Sequence, residues 1–312
     1  MAQAAIRIRD LTVRYGALVA VNRISLEVPE AEIFGLVGPN GAGKTTALKV
    51  LAGLLIPDEG SVEVDGCDVL RERYRVRTRI GYMADFFGVY DYLTVYEYLA
   101  FFGGMYGLRG AELEGRIGVI LDTVNLVPKR EAFVRNLSRG MKQRLYCARA
   151  LVHDPRVLIL DEPASGLDPR GRAELVETLR LVNRQGKTVI ISSHILEELQ
   201  SICTSVGVME AGRLVGIRAL RPDAVAPDTR QVALFVVPAD LDRATDLLRQ
   251  DAAVTSVRSA DGGILVEIHN SDDAVSGLVR RLVEAHVGVL LPRADHADLK
   301  EIFLKMTKGE LM

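Results

Sequence analysis

Apolar and polar positions change rhythm several times along the chain, and each change marks an element. The runs Ile6 to Val13, Ile24 to Val28 and Ile33 to Val37 are rich in β-branched or other apolar residues. Turn residues, among them Gly16, Pro29 and Glu30, separate them, so they read as strands. Ile33 to Val37 contains no polar side chain, as expected of a strand buried on both faces. A glycine-rich turn at 38–43 gives way to a helical stretch from Lys44 to Leu55. Between 94 and 127, Val95, Leu99 and Phe102, then Leu113, Ile117, Ile120, Leu121 and Val124, recur at helical spacing. Val157 to Leu160 and Val189 to Ile191 are two more short buried strands. Each is preceded by helical sequence, and that alternation predicts a parallel sheet with crossover helices.

The rhythm changes again near Arg221-Pro222-Asp223 through Pro227-Asp228, where two prolines and few large apolar residues predict a linker over 221–229. Beyond it, Gln231 to Val237 reads as a strand, Leu241 to Gln250 as a helix, and Val254 to Val257 and Ile264 to Ile268 as strands around the Asp261-Gly262-Gly263 turn. Asp272 to Ala285 reads as a helix, Val287 to Leu291 as a strand and Leu299 to Thr307 as a last helix. The βαββαβ order predicts a small α+β, ferredoxin-like domain over 230–312, following a larger domain over 1–220. A length of 312 residues, at ~150 per domain, agrees with two domains.

Composition narrows the class. Hydrophobic residues make up 48% and charged residues 26%, which supplies real cores and excludes disordered and fibrous chains. Lys and Arg total 39 against 41 acids, and the net charge of −2 argues against a general nucleic-acid binder, so no nucleic-acid partner is expected. Cys67, Cys147 and Cys203 are odd in number and widely spaced, which fits a reducing compartment with no disulfide frame or structural metal. The start, MAQAAIRIRD, lacks an apolar core of signal-peptide length, and no stretch reaches ~18 uninterrupted apolar residues. A soluble, cytoplasmic protein is expected.

The chemistry is concentrated in two segments. Gly38-Pro39-Asn40-Gly41-Ala42-Gly43-Lys44-Thr45, followed by Thr46, matches G-x-x-x-x-G-K-[ST] after a buried strand and before a helix. Glycines let backbone N–H groups turn inward around phosphate oxygens, and the helix start adds its positive dipole end. Lys44 is expected on the β- and γ-phosphates, and the Thr45 hydroxyl on Mg²⁺. The strand Val157 to Leu160 ends in Asp161 and Glu162. Ligands of open parallel sheets bind beyond the carboxyl ends of strands, so both acids are expected to face the phosphates, Asp161 holding Mg²⁺ and Glu162 polarising the attacking water. His194 follows the strand Val189 to Ser193, and reads either as a contact to the γ-phosphate or its water, or as a solvated turn residue.

Leu137-Ser138-Arg139-Gly140-Met141-Lys142-Gln143-Arg144-Leu145 leads into a helix with Ser138 placed as its N-cap. Alone, this is a capped surface helix. Its order relative to the phosphate loop and the acidic strand end resembles the ATP-binding cassette family, the ATPase subunits of membrane transporters, over residues 1 to about 218. The resemblance implies an α/β P-loop NTPase cassette, a mixed sheet core with antiparallel β and helical subdomains, that binds and hydrolyses ATP with Mg²⁺. It implies that Ser138, Arg139 and Gly140 form the signature that closes over ATP bound to the opposite subunit. It also implies that Gly166, Leu167 and Asp168 belong to the dimer-contacting D-loop, that His194 is the switch histidine, and that Tyr15 stacks on adenine. The expected partners are a second copy of the chain, as a homodimer, and a separate transmembrane permease that holds the chain on the inner face of the membrane.

Three features depart from or extend the family pattern. Asp85 stands where the family carries a glutamine that reaches Mg²⁺, and is expected either to serve that role or to be a solvated loop residue. Arg139 replaces a signature glycine, and either approaches the partner's phosphate or points into solvent. Of nine Tyr and eight Phe, eleven lie between Tyr74 and Tyr106, including Phe86, Phe87, Tyr90, Tyr92 and Phe102. They cannot all face one helical stripe, so a groove with exposed rings is expected there for the permease, about half of the rings being ordinary core. Arg71, Arg73, Arg75, Arg77 and Arg79 read as a solvated helix face. The segment from His296 through Leu304 is similar to the ending of bacterial export-type subunits, which favours export. The alternative is a soluble cassette ATPase of DNA repair or translation, but those relatives carry a coiled-coil insertion or tandem cassettes that this chain lacks.

Overall fold

The computed structural model describes residues 4–85, 88, 90–220, 229–251, 253–260, 263–269, 272–285 and 287–293. Two compact units divide the chain between Pro222 and Asp223.

The first unit opens with a long hairpin, β1 (Ala4–Tyr15) and β2 (Leu18–Pro29). Both strands outrun the segments read from the pattern. Register shifts between Ile8 and Leu11 and again between Leu11 and Val13 interrupt the alternation, with Asp10 and Arg23 at positive φ, so one long strand reads as a shorter one. The strand β3 (Ile33–Val37) is buried at all five positions and leads into α1 (Lys44–Leu51). That helix stops four residues before Leu55, with Gly53 just beyond it at φ 66°. Then come β4 (Glu59–Val64), β5 (Cys67–Asp68), α2 (Arg73–Arg79) and β6 (Ile80–Met83). On α2 only Val76 is buried, so the arginines there do occupy an exposed face, with Arg79 turned back to pair with Asp65.

The single helical region read over 94–127 is two helices, α3 (Val95–Met105) and α4 (Gly110–Thr123). Gly107 and Gly110, at φ 87° and 53°, break it. Thr94 and Glu97 form a capping box at the start of α3. These helices pack with α5 (Arg139–Leu151) around Tyr98, Leu99, Ile117, Leu121 and Leu145, all at 0 or 1% exposure. The remaining elements are β7 (Val157–Leu160), α6 (Pro169–Arg184), β8 (Thr188–Ser193), α7 (Leu196–Gln200), β9 (Ser205–Glu210) and β10 (Arg213–Ala219). One sheet has the order β2-β1-β4-β5 and is antiparallel. The other runs β10-β9-β3-β8-β7-β6, parallel throughout except for β10 at the edge. A core including Ile6, Val21, Phe34, Leu48 and Ile159 spans both sheets, each such side chain contributing roughly 1.5–3 kcal/mol by leaving water. The strands β4, β5, β9 and β10 are not marked by the apolar pattern. Half of these are two-residue or largely exposed edge segments with little apolar signal.

The second unit has the order β11 (Thr229–Val236), α8 (Leu241–Arg249), β12 (Val254–Ala260), β13 (Gly263–His269), α9 (Asp272–Glu284) and β14 (Val289–Arg293). Its antiparallel sheet is ordered β12-β13-β11-β14. Val232, Leu234, Val236, Ala244, Leu248, Leu278 and Leu282 fill its core. Thr229, read as the end of a linker, is the first residue of β11. Linker residues 221–228 and the helix read over 299–307 lie outside the described residues. No helix among the described residues is long and apolar enough to cross a membrane.

Candidate functional site

The strand β3 delivers the chain to a cleft of roughly 500 Å³ at the carboxyl edge of the second sheet. Gly43 precedes α1 at φ 95°, and a Cβ there would lie 2.3 Å from the Ala20 carbonyl, so only glycine closes this turn. Lys44 is 4% exposed. Its Nζ donates to the Gly38 carbonyl at 2.7 Å and the Pro39 carbonyl at 3.2 Å, and lies 3.6 Å from Glu162 Oε1. Burial pushes the Lys44 ammonium below its ordinary pKa, and the charges of Glu162 and Asp161 oppose that shift.

Strands β7 and β8 supply the acidic wall. Asp161 is fully buried, and its Oδ1 accepts hydrogen bonds from Ser192 Oγ at 2.6 Å and Thr45 Oγ1 at 3.1 Å. Its Oδ2 is buried with no hydrogen-bond partner among the described residues. Burial raises the Asp161 carboxyl above its ordinary range; the two hydroxyl donors hold it down, and nearby Asp85 and Glu162 add to the rise. Glu162 sits at φ 47°, a left-handed conformation that L-residues other than glycine adopt at a cost of roughly 1–3 kcal/mol. Its N–H donates to Ser192 Oγ at 3.0 Å, and its Oε2 lies 2.8 Å from His194 Nδ1. Asp85 is exposed at the cleft wall. Among the described residues no three His, Cys, Asp or Glu side chains cluster as a metal site by themselves.

The fold thus brings Tyr15, residues 40–46, Asp85, Glu162 and His194 to one cleft, with Tyr15 half exposed beside Leu18 at its outer edge. Gly38 and Pro39 enter through the carbonyls that hold Lys44. Ser165, beside the D-loop residues, also lines the cleft, as does Leu18, which no motif marks. Ser192 was legible only as a polar strand end, and its value lies in binding both acids at once. Ser138, Arg139 and Gly140 do not line this cleft. Ser138 caps α5, accepting from the Met141 N–H at 3.3 Å, and Arg139, an exposed residue, lies against its own chain, where Nη2 donates to the Ser165 carbonyl at 3.2 Å. Gly166 turns at φ 66°, Leu167 is buried, and Asp168 caps α6 through Gly171 N–H at 2.7 Å.

A second groove, roughly 680 Å³, runs between α2 and the helical subdomain. Tyr74, Arg77, Tyr82, Phe102, Met105, Tyr106, Arg149 and His153 line it with neighbouring residues, and none of its lining residues is acidic. Tyr74 is 85% and Met105 69% exposed, while Tyr106 stacks on His153 at 3.7 Å. Tyr90, half exposed, meets Phe101 edge-on at 5.8 Å. Tyr98 is wholly buried, so this aromatic stretch does divide between core and surface. Phe86 and Phe87 lie outside the described residues.

A phosphate loop on a parallel sheet, with a buried acid and a histidine-braced glutamate opposite its lysine, defines a P-loop ATPase. The family model for ABC transporters matches residues 21–165. The daunorubicin resistance ATP-binding protein DrrA3 of Streptomyces coeruleorubidus is 35% identical over 98% of this chain and 97% of its own length. The Nod factor export ATP-binding protein I of Ralstonia nicotianae is 33% identical over 97% and 94%. Among solved structures, the dimeric form of a bacterial ABC transporter cassette superposes with a TM-score of 0.62 at 25% identity, covering 69% of this chain and 99% of that one. The chain belongs to the ATP-binding cassette family and is an ATP-hydrolysing, ATP-binding subunit of a transporter. Subunits of this kind dimerise and work with a membrane permease.

Proposed function

We propose that two copies of this chain clasp two MgATP molecules between them and drive a separate export permease from the cytoplasmic face of the membrane. The observation that carries the reading is the division of the site. Lys44, Glu162 and His194 line one cleft, while Ser138, Arg139 and Gly140 of the same chain do not line it. A nucleotide in the cleft gains the Ser138 hydroxyl and the backbone around Gly140 only from a partner. The γ-phosphate therefore binds the closed dimer better than the open one, and its loss on hydrolysis releases the clasp.

In this reading the loop N–H groups of residues 40–45 and the start of α1 cradle the phosphates, with Lys44 turning from the Gly38 and Pro39 carbonyls to the β- and γ-oxygens. Tyr15 stacks on the base. Glu162, held by Ser192 and His194, accepts the proton of the attacking water; His194, engaged through Nδ1, leaves Nε2 for the γ-phosphate or that water. The residues fit a hard, oxygen-seeking cation: Asp161 Oδ2 is buried with no partner among the described residues, and the Thr45 hydroxyl adjoins Oδ1. Asp161, Thr45 and Asp85 would hold Mg²⁺, which when bound would neutralise charge on the phosphates.

The groove beside α2 is the proposed seat of the permease, since exposed aromatic rings mark interfaces. Export follows from the names of the relatives matched along nearly their whole length, and those names do not favour repair or translation. The unit built on 229–293 is read as an accessory domain. The test is Glu162→Gln. Nucleotide binding persists, hydrolysis slows by roughly 10²-fold or more, and ATP-dependent dimers accumulate on gel filtration. Wild-type turnover in that variant would overturn the assignment.

A further inference from the structure

Arg139 stands at the first position of α5, next to the serine that the proposed dimer presents to the partner's nucleotide, yet its guanidinium is spent on its own subunit. Nη2 donates to the Ser165 carbonyl at 3.2 Å. The flat group lies directly over Gly166: a Cβ at that position would fall 2.0 Å from Nη2 and 2.3 Å from Cζ of Arg139. Below it, Gln143 Nε2 donates to the buried Pro163 carbonyl at 2.5 Å. Beside it, a Cβ on Gly140 would sit 3.8 Å from the Gly171 Cα, ordinary contact distance. One face of α5 is therefore fastened along the loop 163–171.

That loop begins at Glu162. The Ser165 N–H returns to the Glu162 carbonyl at 3.0 Å and the Leu167 N–H to the Ala164 carbonyl at 3.2 Å, so residues 162–167 form a tight, internally bonded turn. The left-handed backbone at Glu162 makes the aim of its carboxylate depend on how that turn is held. A displacement of the start of α5 is carried through Arg139 and Gln143 into the turn, and from there to the Glu162–His194 contact.

We propose that Arg139 is a positioning residue which clamps the signature end of α5 to the loop at Gly166, so that engagement of Ser138 by the partner's nucleotide sets the aim of this subunit's own Glu162. The inference rests on the dimer reading above and adds to it a link between the two sites. Among the described residues no carboxylate pairs with Arg139, and its acceptor is a neutral carbonyl. The planar group over Gly166 is thus the feature that matters, and lysine does not reproduce it.

The experiment uses full-length Arg139→Ala and Arg139→Lys. Expected in both is a fall in kcat of about 10-fold or more with KM for ATP within about twofold, the pattern of a displaced catalytic group and not of lost ground-state binding. Amide hydrogen exchange at 163–167, measured without nucleotide, is faster in both variants while the core strands stay protected. Restoration of kcat by lysine, a rise in KM in place of the fall in kcat, or unchanged exchange at 163–167 overturns the clamp; the first two outcomes would instead make Arg139 a charge contact to the partner's phosphate. If the wild type's specific activity does not change with protein concentration, the dimer reading falls, whereas the exchange measurement still judges the clamp.

Discussion

Ser192 carries more of the site than any motif assigns to it. Its hydroxyl donates to Asp161 and accepts from the Glu162 N–H, so one small side chain holds the two acids in register. Burial works against Asp161 there. Asp161 is fully buried with one oxygen lacking a partner among the described residues, and burial raises its carboxyl pKa. A folded state that keeps this proton to higher pH than the unfolded chain loses stability as pH rises from the unfolded value of about 3.9 through the raised folded value. Above that window the full penalty persists. Asp161→Asn is therefore expected to raise the thermal midpoint at neutral pH in nucleotide-free protein, by roughly 2–4 °C for each kcal/mol relieved, and the advantage over wild type shrinks on acidification below that window. The same variant loses the further stabilisation that MgATP gives the wild type. Scanning calorimetry across pH, with and without MgATP, reads both. Lys44, Thr45, Asp161 and Glu162 were legible because their chemistry fixes residue type and spacing; Ser192 was not, because many residues can end a strand.

At the scale of elements, α5 shows one residue with a structural and a proposed functional task. Ser138 caps the helix through the Met141 N–H, a bond worth about 1 kcal/mol. Aspartate caps as well as serine but brings a negative charge. Ser138→Asp is expected to leave the thermal midpoint nearly unchanged and abolish ATP turnover; a variant that loses both, or neither, would reduce Ser138 to a cap. The aromatic groove makes the opposite separation. Tyr74 is 85% exposed in its lining, so Tyr74→Glu is expected to leave intrinsic ATPase activity intact and to stop stimulation by the permease in reconstituted vesicles. Element identities were readable wherever the apolar period was strong, as in β3, β7 and α5. Boundaries were not: bulges hid the length of β1 and β2, and Gly107 and Gly110 split what spacing alone joins.

The whole molecule raises the question of which parts act in cis and which in trans, and complementation answers it. Lys44→Ala spoils the cleft and Ser138→Asp spoils the signature, so each homodimer is inactive. If the site is shared, mixing the two creates dimers with one intact composite site, recovering up to about a quarter of wild-type activity for a two-fold assembly. No recovery would mean that each chain closes its own site. The sequence by itself determined the nucleotide chemistry, the strand–loop–helix that carries it and the family, because phosphate binding demands glycines, a lysine and a hydroxyl in fixed order and local spacing records that order. Only the tertiary structure decided that Asp161 has an oxygen with no partner among the described residues, that Ser192 binds both acids, and that the Arg139 guanidinium lies over Gly166. Those facts arise where segments distant along the chain meet, and burial and hydrogen-bond partners across such meetings are properties of packing, which a pattern of neighbouring residues does not encode.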